Sequence, residues 1–241
     1  MMNKIISFKV IGKFAHFKKY YTNSSSLTYE IPTRTNIMGM LASILCISRD
    51  DYYDLFCPDI CKLSVSLLSK VKKHFECMNY IHPDKNKALH TQTRLELLMP
   101  VEKFIEYEIF VLLKDENKHN ELLKKLNNFN VGYGLYFGQR QFRVFLKEKP
   151  IEYEFEKINN LDEIVNIETI TWSENLVDFS DNSDFISLNM VNNYKKIKNG
   201  REPLNISNIL FSKNNHLNGK FQEIIRLKNG KNISFFTPLN F

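Results

Sequence analysis

Between residues 12 and 41 the chain reads GKFAHFKKYYTNSSSLTYEIPTRTNIMGML, a stretch dense in groups able to do chemistry. Lys18 and Lys19 bring charge, Tyr20 and Tyr21 bring ring faces, and Arg34 and Thr35 stand where a helix begins. Cations meet phosphates, aromatic rings stack on unpaired bases, and the first N–H groups of a helix donate to anions. The set therefore suits a nucleic-acid strand; the blander reading is a surface loop whose tyrosines pack on the core. Metal-independent RNA cleavage asks for a base, an acid and a cation at one phosphate. His16 with Tyr20, and Lys73 with His74, have the side chains for those roles, although a lone histidine in a basic groove serves equally as a plain contact.

A second basic group, Lys70, Lys72 and Lys73 with Lys85 and Lys87, falls on a long extended arm, as a solvated hairpin or as a thumb that grips a backbone. VGYGLYFG, residues 131 to 138, follows a helical pattern and precedes a strand, the reverse of a dinucleotide fingerprint. It reads as a turn in which Gly132, Gly134 and Gly138 relieve steric limits, with a nucleic-acid contact loop as the alternative. Cys57, Cys61, Cys77 and His74 have zinc-ligand chemistry. An extended segment from 62 to 77 would hold its ends about 50 Å apart at ~3.3 Å per residue, so free thiols are the expectation.

The elements that must position these groups follow from periodicity. Residues 4 to 16 alternate as a strand, with Ile6, Phe8, Val10 and Phe14 on one face and Ser7, Lys9 and Lys13 on the other, a pattern for a sheet covered on one side. Residues 35 to 47 carry a helical stripe, Ile37, Met40, Leu41, Ile44 and Leu45, capped by Thr33 or Thr35 and interrupted by Gly39. SRDDYYDLF suggests a short helix, and residues 62 to 82 one long strand or hairpin arm with a turn at 82 to 90. TRLELLMP and FIEYEIFVLL read as strands, 115 to 129 as an amphipathic helix through Leu122, Leu123, Leu126 and Phe129, and 138 to 148 as a strand. Beyond 150 the pattern weakens to short strands and loops, with a polar stretch from Asp178 to Asn199, until FQEIIRLKNGKNISFFTPL forms a hairpin on Asn229-Gly230. The order β, α, long β excursion, β, α, β predicts an α+β, ferredoxin-like βαββαβ domain over residues 1–150 with an inserted hairpin, a layout that RNA-binding sheets of the RRM type share, although the RRM aromatic signature is not present.

Charge sharpens the expectation. The 241 residues carry a formal net charge of +6. Residues 1 to 49 hold seven basic residues and Glu30 as their one acid, while the remainder holds 26 of each sign, so the surplus lies in the first fifth of the chain. That asymmetry favours a polyanionic partner. Lys4, Lys9 and Lys13 break any apolar leader, no apolar run reaches membrane-spanning length, and four cysteines without a secretory leader suit reduced thiols in a cytoplasm.

Gly12, Phe14, Ala15 and Phe17, then Thr28-Tyr29, then Pro32, Arg34 and Thr35, then Gly39-Met40-Leu41-Ala42 resemble the N-terminal signature of the fifth CRISPR-associated protein family. HTQTRLELLMPVEKFIEYEIFV resembles that family's central segment, and YGLYFGQRQFRV its glycine-aromatic step before a basic strand. Thr33 stands where a second proline is common, and Cys46-Ile47 where leucine-glycine is frequent. The resemblance, over about residues 1–146, implies a ferredoxin-like domain of the RRM/RAMP type with a β-hairpin thumb at about 68–95 and a β-rich extension over 151–241. It also implies a crRNA-binding subunit of a type I Cascade surveillance complex, I-B-like in look, gripping the crRNA 5′ handle and capping the backbone filament. Its implied neighbours are a backbone subunit and the large subunit, with target DNA met indirectly and neither membrane, cofactor nor metal involved. On that reading Lys18, Lys19, Tyr20, Arg34 and Thr35 hold the handle, and His16, Lys72, Lys73, Gln92, Arg94 and Arg140 form an outer ring. The alternative is a repeat-specific endoribonuclease using His16, Tyr20, Lys73 and His74.

Overall fold

The computed structural model describes residues 4–22, 26–81, 90–159, 162–179, 184–198, 200–214 and 216–240, the side chain of Thr91 excepted. Its first half runs β1 (Lys4–Gly12), β2 (Phe17–Lys18), β3 (Thr28–Tyr29), α1 (Arg34–Leu45), β4 (Cys61–Leu67), β5 (Val71–Ile81), β6 (His90–Pro100), β7 (Ile105–Leu113), α2 (Glu116–Asn127), β8 (Leu135–Tyr136) and β9 (Arg143–Leu146). The second half adds β10 (Ile151–Asn159), β11 (Val165–Ile167), β12 (Thr171–Trp172), β13 (Leu176–Phe179), β14 (Ile186–Ile197), β15 (Gly200–Phe211), β16 (Leu217–Phe221), β17 (Glu223–Leu227) and β18 (Asn232–Ile233). The expected turn at 82 to 90 falls almost wholly outside the described residues, as do Lys85 and Lys87.

β1 is the axis of the main sheet. It pairs antiparallel with β7 from Ile6↔Val111 to Gly12↔Ile105, and β7 pairs antiparallel with β4 from Cys61↔Leu113 to Leu67↔Tyr107. On its other side β1 meets β10 at Lys4↔Glu154 to Ser7↔Ile151 and β9 at Val10↔Leu146 to Gly12↔Val144. β10 pairs onward with β17, and β17 with β18, so the sheet is continuous across residue 150.

Both helices lie over one face, where Ile6, Phe8, Val10, Val65 and Ile109 join Ile37, Leu41, Ile44, Leu122 and Leu126 in one buried cluster. Burying each such side chain contributes about 1.5–3 kcal/mol. The α1 stripe therefore outweighs the roughly 1 kcal/mol that Gly39 costs within the helix. Thr33 caps α1 reciprocally with Asn36, and Asp115 caps α2 by accepting from Asn117 N and Lys118 N.

The opposite face is covered as well, against the expectation of a one-sided sheet. Ile5, Phe110 and Leu112 pack there on Ile225, Leu227, Ile233, Phe235 and Leu239. Ser7, expected in solvent, is buried and donates to the buried Glu108 at 2.6 Å. The free edge of β4 accepts backbone bonds from Ile170 N and Phe236 N, which closes it to other chains.

Other expectations are corrected locally. β1 ends at Gly12, a position where the ring of Phe137 leaves no room for a Cβ, and Phe14 is left exposed. The single arm from 62 to 82 divides at 68 to 70 into β4, inside the sheet, and β5, which leaves it with β6 as a separate two-stranded arm. SRDDYYDLF forms turns rather than a helix, its shape set by tertiary contacts of Tyr52, Tyr53 and Phe56. Residues 138 to 148 give only the short β9 after a turn. The polar stretch read between 178 and 199 contains β14, which with β15 makes a second arm of twelve residues a side.

Candidate nucleic-acid interface

The strand-to-helix junction after β1 is tied down at every step. Ala15 exchanges backbone bonds with Leu98 of β6, and His16 N donates to Phe137 O at 3.1 Å. The chain then forms the β2–β3 ribbon, Phe17↔Tyr29 and Lys18↔Thr28, which carries Lys18, Lys19, Tyr20 and Tyr21. Tyr20 and Tyr21 pack edge to face at 5.2 Å, and Lys19 Nζ lies 5.9 Å from the Tyr21 centroid and 5.7 Å from that of Tyr29. Tyr20 reaches the second arm, donating to Asn189 Oδ1 at 3.2 Å. Lys18, Tyr20 and Tyr21 are exposed, as the reading required.

Two of the expected contacts are not at the surface. Arg34 is wholly buried, with Nη1 donating to Asn192 O at 2.8 Å and Nη2 to Phe56 O at 2.6 Å and Cys61 O at 2.8 Å. Burial lowers its pKa, yet a guanidinium keeps its charge, so three carbonyls converge on it, two from the segment 56 to 61 that leads into β4 and one from β14. Its role is to join α1 to β4 and β14; it cannot touch a phosphate. His16 is also buried, its Nδ1 2.7 Å from Glu96 O and its Nε2 3.0 Å from Ser26 Oγ. A carbonyl only accepts, so Nδ1 carries the proton; burial lowers the pKa and favours the neutral ring, in which Nε2 accepts from the serine. His16 bolts the ribbon to the base of the first arm.

On that arm the pleat separates neighbours. Lys73, Phe75, Arg94 and Gln92 share one face through the register Phe75↔Glu96, Cys77↔Arg94 and Asn79↔Gln92, and the Arg94 guanidinium lies 4.9 Å from the Phe75 ring. Lys72 and His74 share the other face, where His74 Nε2 sits 2.9 Å from Glu76 Oε1. Lys73 is paired with Glu30 at 3.5 Å. With His16 buried and Lys73 and His74 on opposite faces, His16, Tyr20, Lys73 and His74 do not assemble as a cleavage site.

A different set of residues does converge. Consecutive helical positions are turned by about 100°, so while Arg34 points into the core, Thr35 turns outward. Thr35, Gly39 and Ser43, four apart, line the floor of an open groove of about 400 Å³. The glycine loop forms one wall, contributing Tyr133, Gly134, Tyr136, Gly138 and Arg140; Arg49, Tyr52 and Arg201 contribute the other. The loop's glycines are obligatory here. Gly132, Gly134 and Gly138 have φ of +59°, +90° and +83°, and a Cβ on Gly138 would fall 1.9 Å from His16 O. Three guanidinium groups line the groove, and among the described residues no carboxylate does. Tyr133 and Tyr136 present exposed rings, and α1 has no acid in its first turn to oppose a nearby anion.

Arg201 is held in place by its surroundings. Its guanidinium lies 4.4 Å from the Tyr194 ring centroid and donates to Tyr53 Oη at 3.1 Å, and Tyr53 in turn donates to Asp50. Of the expected residues, Thr35 and Arg140 are in the groove, Lys18, Lys19 and Tyr20 form the neighbouring ribbon, and Lys72, Lys73, Gln92 and Arg94 sit on the first arm. Arg49, Arg201, Tyr133 and Tyr136 were not expected. The glycine run flanked by tyrosines was a usable signal for the last two; nothing local marks Arg201.

Comparison with known proteins gives a family match and a shared fold. Residues 5–100 match the model of the family described as CRISPR-associated protein (Cas_Cas5). A chain of a CRISPR RNA-guided surveillance complex superposes with a TM-score of 0.54 at 12% identity, covering 89% of this chain and 91% of that one. A CRISPR protein from Archaeoglobus fulgidus gives a TM-score of 0.48 at 10% identity, covering 90% and 99%. No curated protein sequence matches.

Proposed function

Because residues 5–100 match the model of the CRISPR-associated Cas5 family, we propose that the chain is a crRNA-binding subunit of a type I Cascade complex, holding the 5′ handle of the crRNA in the groove beside α1. The supporting observation is that groove itself: Arg49, Arg140 and Arg201 with Tyr133 and Tyr136 around a floor of small polar side chains. Guanidinium groups bind phosphates bidentately and tyrosine rings stack on splayed bases, the combination that single-stranded RNA requires. The ribbon of Lys18, Lys19 and Tyr20 and the first arm, with Lys72, Lys73, Gln92 and Arg94, extend the positively charged surface on either side of the junction.

The core order β1, α1, β4, β7, α2, then β9 and β10, with the four strand positions antiparallel in the spatial order fourth, first, third, second, supports a ferredoxin-like reading of the domain with the first arm as its thumb. On the same reading the subunit caps the backbone filament, contacts a backbone subunit and the large subunit, and works in the cytoplasm, closest to subtype I-B. No helix among the described residues is long and apolar enough to cross a membrane.

The test is binding of repeat-derived RNA by Arg140→Ala and Arg201→Ala variants. Each charged hydrogen bond removed is expected to cost about 1.5–3 kcal/mol, a fall in affinity of roughly ten- to a hundredfold. An RNA isotherm unchanged in the double variant would overturn the assignment of the groove.

A further inference from the structure

The end of the second arm carries more positive charge than the groove uses. Lys195, Lys196, Lys198 and Arg201 fall within seven residues around the turn that joins β14 to β15. In the register Lys196 opposes Arg201, on the same side as Tyr194, while Lys195 opposes Glu202 on the other side. The first side is docked: Lys196 Nζ pairs with Asp51 at 2.5 Å, Arg201 binds Tyr53, and the Tyr194 and Tyr53 rings lie 5.9 Å apart. This arm end is therefore held against the turn at 50 to 53, at the border of the groove that Arg201 lines. Lys195 and Lys198 are left exposed, Lys195 on the side away from the docked one.

We propose that this arm end is a second RNA contact, in which Lys195 and Lys198 bind phosphates of the strand just outside the groove. The inference rests on the groove being the RNA site. Arg201 is the shared element: it belongs to the groove wall and to the arm end, so a strand that leaves the groove past it reaches the turn that carries Lys198, and Lys195 follows on the other side of the ribbon beside Glu202. Glu202 and Asp51 offset part of that charge, but Asp51 is engaged with Lys196. A backbone contact of this kind is independent of base identity and depends steeply on salt.

The experiment uses the full chain and two RNAs from the repeat, a short one that fills the groove and a longer one that runs past it. In the Lys195→Ala/Lys198→Ala variant, the longer RNA should bind several-fold more weakly at low salt. Its log–log salt slope should be shallower by about 1.4, at ~0.7 for each single-strand phosphate that is no longer neutralised. The short RNA should bind as it does to the unmodified chain. Equal weakening of both RNAs overturns the proposal, since it would mark a diffuse field rather than a local contact. If the double lysine variant binds both RNAs normally while Arg140→Ala/Arg201→Ala fails to bind them, the second contact is wrong and the groove stands. If the arginine variant also binds normally, both fail.

Discussion

The two hairpin arms are alike in sequence length and opposite in attachment. The first, β5 with β6, has eleven residues a side, and β5 is exposed from Lys72 through Cys77. Its β6 strand is fastened from Leu98 to the middle of the arm, by the Ala15–Leu98 and Ser26–Leu95 bridges, His16 on Glu96 O, Lys73 on Glu30 and the burial of Leu95, Glu96, Leu97 and Leu98, while the described residues beyond Leu95 on β6, and most of β5, face solvent. The second, β14 with β15, is built into the body: Met190, Val191, Asn192 and Asn193 are all buried, and Tyr20, Tyr29, Arg34, Tyr53 and Asp51 bond to it along its length. A long antiparallel ribbon is thus a lever or a wall according to what it packs on. Opening a segment costs little where few buried contacts break and much where many do. The first arm suits a part that moves around a ligand; the second suits the fixed side of a groove.

The contrast can be broken most sharply at Arg34. Arg34→Met leaves the carbonyls of Asn192, Phe56 and Cys61 buried without a donor, and should destabilise the fold by about 3 kcal/mol or more, read from denaturant midpoints. Near-native stability combined with abolished RNA binding would instead return Arg34 to the surface role that its position in the sequence suggested.

At the first arm the effect is smaller and depends on pH. His16 is held neutral, with its pKa in the fold below the ordinary 6.5. Below that value the unfolded chain binds more protons than the folded one, so stability rises with pH. It should be constant above about pH 7 and fall as pH drops through 6.5 toward the folded pKa, with a slope from this one group of at most about 1.4 kcal/mol per pH unit. His16→Gln should flatten that part of the profile and speed amide exchange in β6 while leaving β14 protected. An unchanged profile would show that the arm is fastened elsewhere.

The smallest effect is expected at Lys73→Ala. An ion pair at the surface is worth about 0–1 kcal/mol, and the mostly buried Glu30 keeps Lys213 at 3.1 Å when Lys73 is removed. Limited proteolysis of the arm should change little, and a large gain in cleavage would make the Lys73–Glu30 pair the real fastening of the lever.

Much of the frame was legible because it depends on short-range pattern. Alternation from Ile6 to Val10 marked β1, Thr33 or Thr35 marked the start of α1, Leu122 and Leu126 marked the buried face of α2, and Asn229-Gly230 marked the last hairpin. The family signature lies in the same region, where the chemistry of strand, turn and cap is local. The site was legible only in part. Thr35, Arg140 and the glycine loop were singled out, but the second arm was missed although residues 199 and 200 read Asn-Gly, a hairpin signal within a segment taken as polar loop.

What the sequence determined by itself is the frame of β1, α1, β7 and α2, the placement of the surplus charge and the resemblance of residues 5–100 to the family model. What only the tertiary structure decided is which charges meet solvent. Arg34 and Arg201 are the same side chain, yet one is enclosed by carbonyls 22, 27 and 158 residues away and the other is displayed on a tyrosine in a groove. Local pattern sets backbone conformation; the fate of a charge depends on desolvation and on partners brought together only when distant segments pack.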